Sequence, residues 1–184
     1  TAEEDRHSIA MRDYLLATRA VDPVALERER MAHMSRGFHP AVEGELLGSI
    51  AYVSFQELAT RISHRNTGRY TTDPGCDRLL ARIALDENLH MLFYRNVVAA
   101  AFDLAPDETM TAVTEQVVDF QMPGNEVEGF TRRSVTIAMA GIYDLRIHHD
   151  EVVAPVLRAW NVWDRNDFGP EGEKARDALS DFLT

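Results

Sequence analysis

Asp86-Glu87-Asn88-Leu89-His90, set inside the segment from Leu79 to Phe102, is the stretch that decides how this chain is read. Glu87 and His90 are three residues apart, so on a helix they lie about 60° apart on one face, a turn from each other. The remainder of that face is apolar or aromatic: Ile83, Glu87, His90, Tyr94 and Val97 follow at spacings of 4, 3, 4 and 3. A carboxylate and an imidazole in such a stripe are costly to bury without a partner, and a metal ion is one partner that offsets the cost. A single Glu-x-x-His is weak evidence, because helices carry such pairs often.

A second copy changes that reading. Thr1-Ala2-Glu3-Glu4-Asp5-Arg6-His7 repeats the spacing with Glu4 and His7, and an acid precedes the Glu in both copies, Glu3 and Asp86. Between the copies, Leu46, Ile50, Val53, Glu57, Thr60 and His64 run at spacings of 4, 3, 4, 3 and 4, placing one carboxylate on another inward helix stripe. A di-iron or di-manganese carboxylate bundle uses Glu-x-x-His on two helices and one Glu on each of two others. Glu4, His7, Glu57, Glu87 and His90 supply five of those six ligands in a compatible order. Glu3 and Asp86 suit a second role, accepting the outward N–H of a ligating imidazole and so orienting its ring. Thr60, one turn beyond Glu57, is expected to turn its hydroxyl toward the oxygen-binding side, although a mid-helix Thr commonly back-bonds to a carbonyl.

Composition bounds the class. A chain of 184 residues fits one domain with a real core. Cys76 is the single cysteine, which excludes a disulfide framework and a thiolate metal site. No run of 18 apolar residues and no secretory signal is visible, so no membrane span is expected and the cytoplasm is the simplest compartment. A net charge of −11 argues against nucleic acid as a partner.

Taken in order, the chain reads as all-α. It opens within a helical stripe of Glu4, His7, Met11 and Tyr14. Asp22-Pro23 starts a short polar helix to about Ser35, broken by Gly37 to Pro40. The Glu57 helix spans about Ala41 to Arg69, and Asp73-Pro74-Gly75 turns into the Glu87 helix. Pro106 begins another, stopped by Pro123-Gly124; periodicity resumes from Phe130 to about Tyr143. Asp144 caps a further helix ending before Trp160, and Glu171 to Leu183 forms an amphipathic last one. No linker divides the chain, so residues 1–184 are expected to be one domain.

The residues Thr1 to His7, Ser54-Phe-Gln-Glu-Leu-Ala-Thr60 with Ile62-Ser-His64 and Asn66-Thr67, and Asp86-Glu-Asn-Leu-His90 together resemble the soluble acyl-acyl-carrier-protein desaturases. This is the stearoyl-carrier-protein Δ9 desaturase family of plants and its actinobacterial relatives. Weaker similarity continues through Met122-Pro123 and from Gly169 to Ala175. The resemblance implies a ferritin-like four-helix bundle with extra helices and two irons held by Glu4, His7, Glu57, Glu87 and His90. It further implies O₂-dependent desaturation of a fatty acyl chain on acyl carrier protein, electrons from a ferredoxin-type donor, and a homodimer. Two other readings stay open: another ferritin-like di-iron oxidase, and a non-catalytic relative that keeps acyl or carrier-protein binding.

The sequence departs from the family in two respects. The family's initial Glu ligand lies on a helix upstream of the first Glu-x-x-His, and the chain opens on the second bundle helix, so an N-terminally incomplete domain with impaired activity is expected. Glu108 and Glu115 are the substitutes to consider for the sixth ligand. Carrier protein is also acidic and would be repelled by −11 unless charge is locally patterned. Arg61, Arg65 and Arg69, at i, i+4 and i+8 in a stretch without acids, are the candidate docking residues, and Arg132-Arg133 is a smaller basic spot. His148-His149 reads as a surface helix start, His64 as structural, and His33 and His39 as connector residues.

Overall fold

Asp73 and Pro74 show how the longest helix gets its start. Proline fixes φ and has no N–H to leave unsatisfied in a first turn, and the Asp73 carboxylate accepts the Gly75 N–H at 2.7 Å. Asp22 and Pro23 repeat the device, with Asp22 accepting from Val24 and Ala25. The computed structural model describes residues 2–37, 46–125 and 127–184, and every regular element among them is helical. The order is α1 (Ala2–Ala17), α2 (Pro23–Arg36), α3 (Leu46–Tyr70), α4 (Pro74–Leu104), α5 (Pro106–Val118), α6 (Phe130–Met139), α7 (Leu145–Ile147), α8 (Ala154–Ala159) and α9 (Pro170–Leu183). A π-helical segment, His148–Val153, joins α7 to α8, and a 3₁₀ turn, Val162–Asp164, follows.

The short Thr71–Asp73 turn folds α4 back on α3, and the two form the main packed pair. α5 closes against α3 and α4, α9 against α5, and α1 rests on α4. The core lies on the α3 face made by Ala51, Phe55, Leu58, Ala59 and Ile62, against Met91, Val98 and Phe102 of α4. Trp160 stands edge-on to Phe55 at 5.5 Å and donates its indole N–H to the Arg95 carbonyl at 2.8 Å, which satisfies a polar group that burial would otherwise strand. The stripe expected to face inward on α3 is therefore a flank of the core face. Leu46 at its start is 75% exposed, and Ile50, Val53, Thr60 and His64 are half-buried.

Several boundaries differ from the sequence reading, with physical causes. α5 ends at Val118 ahead of Pro123, with Asp119 as its C-cap, and α6 stops at Met139 because Gly141 turns with φ +67°. The helix capped by Asp144 does run to Ala159, but its middle widens into the π segment. Pro155 lacks an N–H and crowds the carbonyl four residues back, and the wider turns before it absorb that conflict while Val152 and Val153 enter the core. His33 sits within α2; His39 and the start expected for the Glu57 helix, 41–45, lie outside the described residues.

Candidate metal centre

α1 is a largely exposed helix on which His7 is the only fully buried residue, with Ala10, Met11, Tyr14, Leu15 and Leu16 half-buried. α3 brings in Glu57 and α4 brings in Asp86, Glu87 and His90, the first three of these four buried. The two Glu-x-x-His helices meet so that the imidazole rings stand 6.2 Å apart, centre to centre. Both Nδ1 atoms face the carboxylates. His7 Nδ1 lies 3.2 Å from Glu87 Oε1 and 3.6 Å from Glu4 Oε2. His90 Nδ1 lies 3.1 Å from Glu4 Oε1, 3.4 Å from Glu57 Oε2 and 3.6 Å from Glu87 Oε2. Glu4 and Glu87 thus each turn one oxygen to either ring, whereas Glu57 serves the His90 side only.

Behind the rings the partners cross over. His7 Nε2 meets Asp86 of α4 at 3.1 Å, and His90 Nε2 meets Glu3 of α1 at 2.8 Å. Arg82, one turn before Asp86, pairs with its other oxygen at 3.0 Å, and Arg6 reaches both Glu3 and Asp86. Sequence reasoning picked out the two acids; it missed the crossing and both arginines. The signal for Arg82 was available, because a basic residue four positions before a buried acid lies on its face.

The electrostatics suit cations. Burial, with the neighbouring Glu57 carboxyl, pushes Glu87 up to about 8, and burial also raises Glu57. Burial raises the cost of charge on Asp86, but the His7 bond and the two arginines outweigh it and hold its carboxyl below the usual range. Two donor atoms are buried with no hydrogen-bond partner, His7 Nδ1 and Glu57 Oε2. Ligand atoms of Glu4, Glu57, Glu87 and His90 all lie within 4.8 Å of one another. Carboxylate oxygen and imidazole nitrogen are the donors that iron and manganese accept, so the residues present fit such ions. One position would draw on His7, Glu4 and Glu87; the other on His90, Glu4, Glu87 and Glu57.

The other candidates are placed more loosely. Thr60 back-bonds to the carbonyls of Gln56 at 3.1 Å and Glu57 at 3.0 Å. Glu108 and Glu115 are exposed on α5 and do not belong to the carboxylate cluster. Arg61, Arg65 and Arg69 line a cleft of about 490 Å³ that also takes in Arg95, Asp150 and Glu151. Arg65 is engaged by Asp77 at 3.0 Å. His148 is not a surface helix start: it stacks on Phe120 at 4.4 Å, meets the Tyr143 hydroxyl at 2.8 Å, and leaves a buried Nε2 without a partner. No helix is long and apolar enough to cross a membrane among the described residues.

Comparison with known proteins agrees with this arrangement. The profile of the family described as Fatty acid desaturase matches residues 1–184. DesA1 of Mycobacterium tuberculosis, named as an acyl-acyl-carrier-protein desaturase, is 54% identical over 98% of this chain and 55% of its own length. The chloroplastic stearoyl-acyl-carrier-protein 9-desaturase of Gossypium hirsutum is 31% identical over 97% of this chain and 47% of its own. The chain therefore spans about half the length of the curated relatives it matches. The X-ray structure of DesA2 from M. tuberculosis H37Rv, likewise named as an acyl-ACP desaturase, superposes with a TM-score of 0.80 at 29% identity, covering 100% of this chain and 66% of that one. A profile match along the whole chain, with DesA1 and the plant desaturase alike in sequence and DesA2 alike in fold, makes this all-α chain a member of the fatty acid desaturase family.

Proposed function

We propose that this chain carries the di-iron centre of an O₂-dependent acyl-acyl-carrier-protein desaturase. The observation that carries the reading is the mirrored set of donors, with Glu4 and Glu87 each turned to both rings and Asp86 and Glu3 behind them. Two irons held by Glu4, His7, Glu57, Glu87 and His90 supply the oxidation: a –CH₂–CH₂– unit of the acyl chain, O₂, two electrons from a ferredoxin-type donor and two protons give –CH=CH– and two waters. The protein's part is to hold the donors, orient the rings and keep the site dry. Asp86 and Glu3 accept the outward N–H of their rings, which leaves each Nδ1 lone pair free for a metal. Thr60 supplies a hydroxyl one turn from Glu57. Arg61 and Arg69, with Arg95, make no ion pair among the described residues and present a local positive face to an acidic carrier protein, with Arg65 beside them.

The test is an anaerobic Fe(II) titration followed by reductant, air and stearoyl carrier protein. The expected result is iron bound by the wild type and lost in E87A, with unsaturated product only where iron is bound. Iron retention that survives E87A, or desaturation without iron, would overturn the proposal.

A further inference from the structure

The two ring-and-acid pairs are not independent. Glu3 and Arg6 are three apart on α1, so both lie on the rim of the centre while Glu4 and His7 turn into it. One guanidinium nitrogen, Arg6 NH2, lies 3.0 Å from Glu3 Oε1 and 3.5 Å from Asp86 Oδ2. Glu3 gives its other oxygen to His90, and the same Asp86 Oδ2 meets His7. The result is one continuous chain, His90–Glu3–Arg6–Asp86–His7, closed by a single side chain. Arg82 touches Asp86 alone.

We infer that Arg6 is a positioning residue that locks both imidazoles at once, so that the ring orientations at the two metal positions are set together. This deepens the proposed function and rests on its assignment of His7 and His90 as ligands. An exposed Arg–Glu pair three apart on a helix is by itself worth little. The difference here is that the guanidinium also reaches an acid that is only 3% exposed and, through it, a second candidate ligand ring, that of His7. Groups that orient ligating histidines typically change metal affinity about 10- to 100-fold when removed.

Two readouts on the purified chain separate this role from a surface ion pair, and neither requires desaturase activity. In a Zn(II)-saturated sample with ¹⁵N-labelled imidazoles, R6Q is expected to move or broaden the Nε2–H signals of both His7 and His90, and R82Q that of His7 alone. In parallel, R6Q lowers Zn(II) affinity about 10-fold, and R6K, which keeps a positive charge near both acids, recovers part of the loss. Unchanged ring signals in R6Q, or a change confined to one histidine, would overturn the inference. If the signals respond as expected in a chain that never oxidises an acyl group, the proposed activity fails and the coupling stands. If iron and activity behave as proposed but R6Q leaves both rings untouched, the coupling alone fails.

Discussion

The two Glu-x-x-His copies have the same spacing and opposite surroundings. The α4 copy sits on a helix with eight buried residues, anchored by Leu80, Ile83, Met91, Val98 and Phe102. The α1 copy sits on a helix that buries only the histidine itself. The acids cross over accordingly: the buried Asp86 of α4 backs the α1 ring, while the half-exposed Glu3 of α1 backs the α4 ring. Hydrophobic burial holds α4 in place. α1 half-buries Ala10, Met11, Tyr14, Leu15 and Leu16 but buries no apolar side chain fully, so polar contacts to α4, and the ions that the centre would bind, carry a larger share of its placement. Within one site, then, three of the five candidate ligands sit on helices set by the core, and two sit on a helix placed largely by contacts at the site itself.

The strongest way to break this comparison is at Glu87, the one α4 carboxylate facing both rings. E87A is expected to abolish binding at both positions, at least about 100-fold in Fe(II) affinity, because it removes a charged donor from each. E57A should cost only the position beside His90, lowering the stoichiometry by one ion in the same titration. Equal losses in the two variants would mean that Glu57 also reaches the His7 side.

Removing metal sharpens the contrast between the helices. A ligand that binds the folded state stabilises the elements it joins, by about 2.7 kcal/mol when present at 100 times its dissociation constant. Chelation should therefore collapse hydrogen-exchange protection across α1 while leaving the interior of α4 protected. Loss of protection in both helices to the same degree would show that α1 is held by packing after all.

The acids behind the rings should differ in the same direction. D86N is expected to lower affinity at the His7 position about 10- to 100-fold, since a buried partner is replaced by one that cannot carry charge beside Arg82. E3Q, at a half-exposed and solvent-screened site, should cost only a few-fold in the same assay. Reversal of that order would sink the claim that the α1 ring is the better braced.

How much of this could be read from the chain follows from where each fact resides. Helical periodicity and caps are local, so Asp22-Pro23 and Asp73-Pro74 mark true starts, and the turns on which Glu4, His7, Glu57, Glu87 and His90 sit follow from spacing alone. The exact core face of α3 was not legible: the Glu57 stripe and the Phe55 stripe are neighbours on one helix, and the packing of α4, α5 and the π segment against the second makes it the core. The crossing of Glu3 and Asp86 depends on how α1 lies across α4, a tertiary fact with no local signature. Arg65 shows the same limit, since its partner Asp77 comes from the opposite side of the α3–α4 turn. The π segment was hidden because caps and spacing carry the Asp144 helix through Pro155 without showing that it widens to do so.

A smaller effect than at Glu87 is expected where a half-buried ring has no acid behind it. His148 packs on Phe120 with only the Tyr143 hydroxyl at Nδ1, and burial, with His149 nearby, pushes its imidazole down to about 4. Its ordinary value is near 6.5, so as pH falls below that point the unfolded chain takes up a proton and the folded chain does not. The sign is fixed: this group's contribution is intact above about 6.5, erodes as pH falls, and is gone near 4. The loss between pH 7 and pH 5 should be on the order of 1–2 kcal/mol. H148F keeps the stacked ring but cannot take up the proton, so urea midpoints of wild type and H148F should draw apart over that window, the wild type falling faster. Parallel curves would mean that His148 is solvated enough to titrate normally. In that event the contrast with His7, a buried imidazole kept in place by a carboxylate, would lose its control.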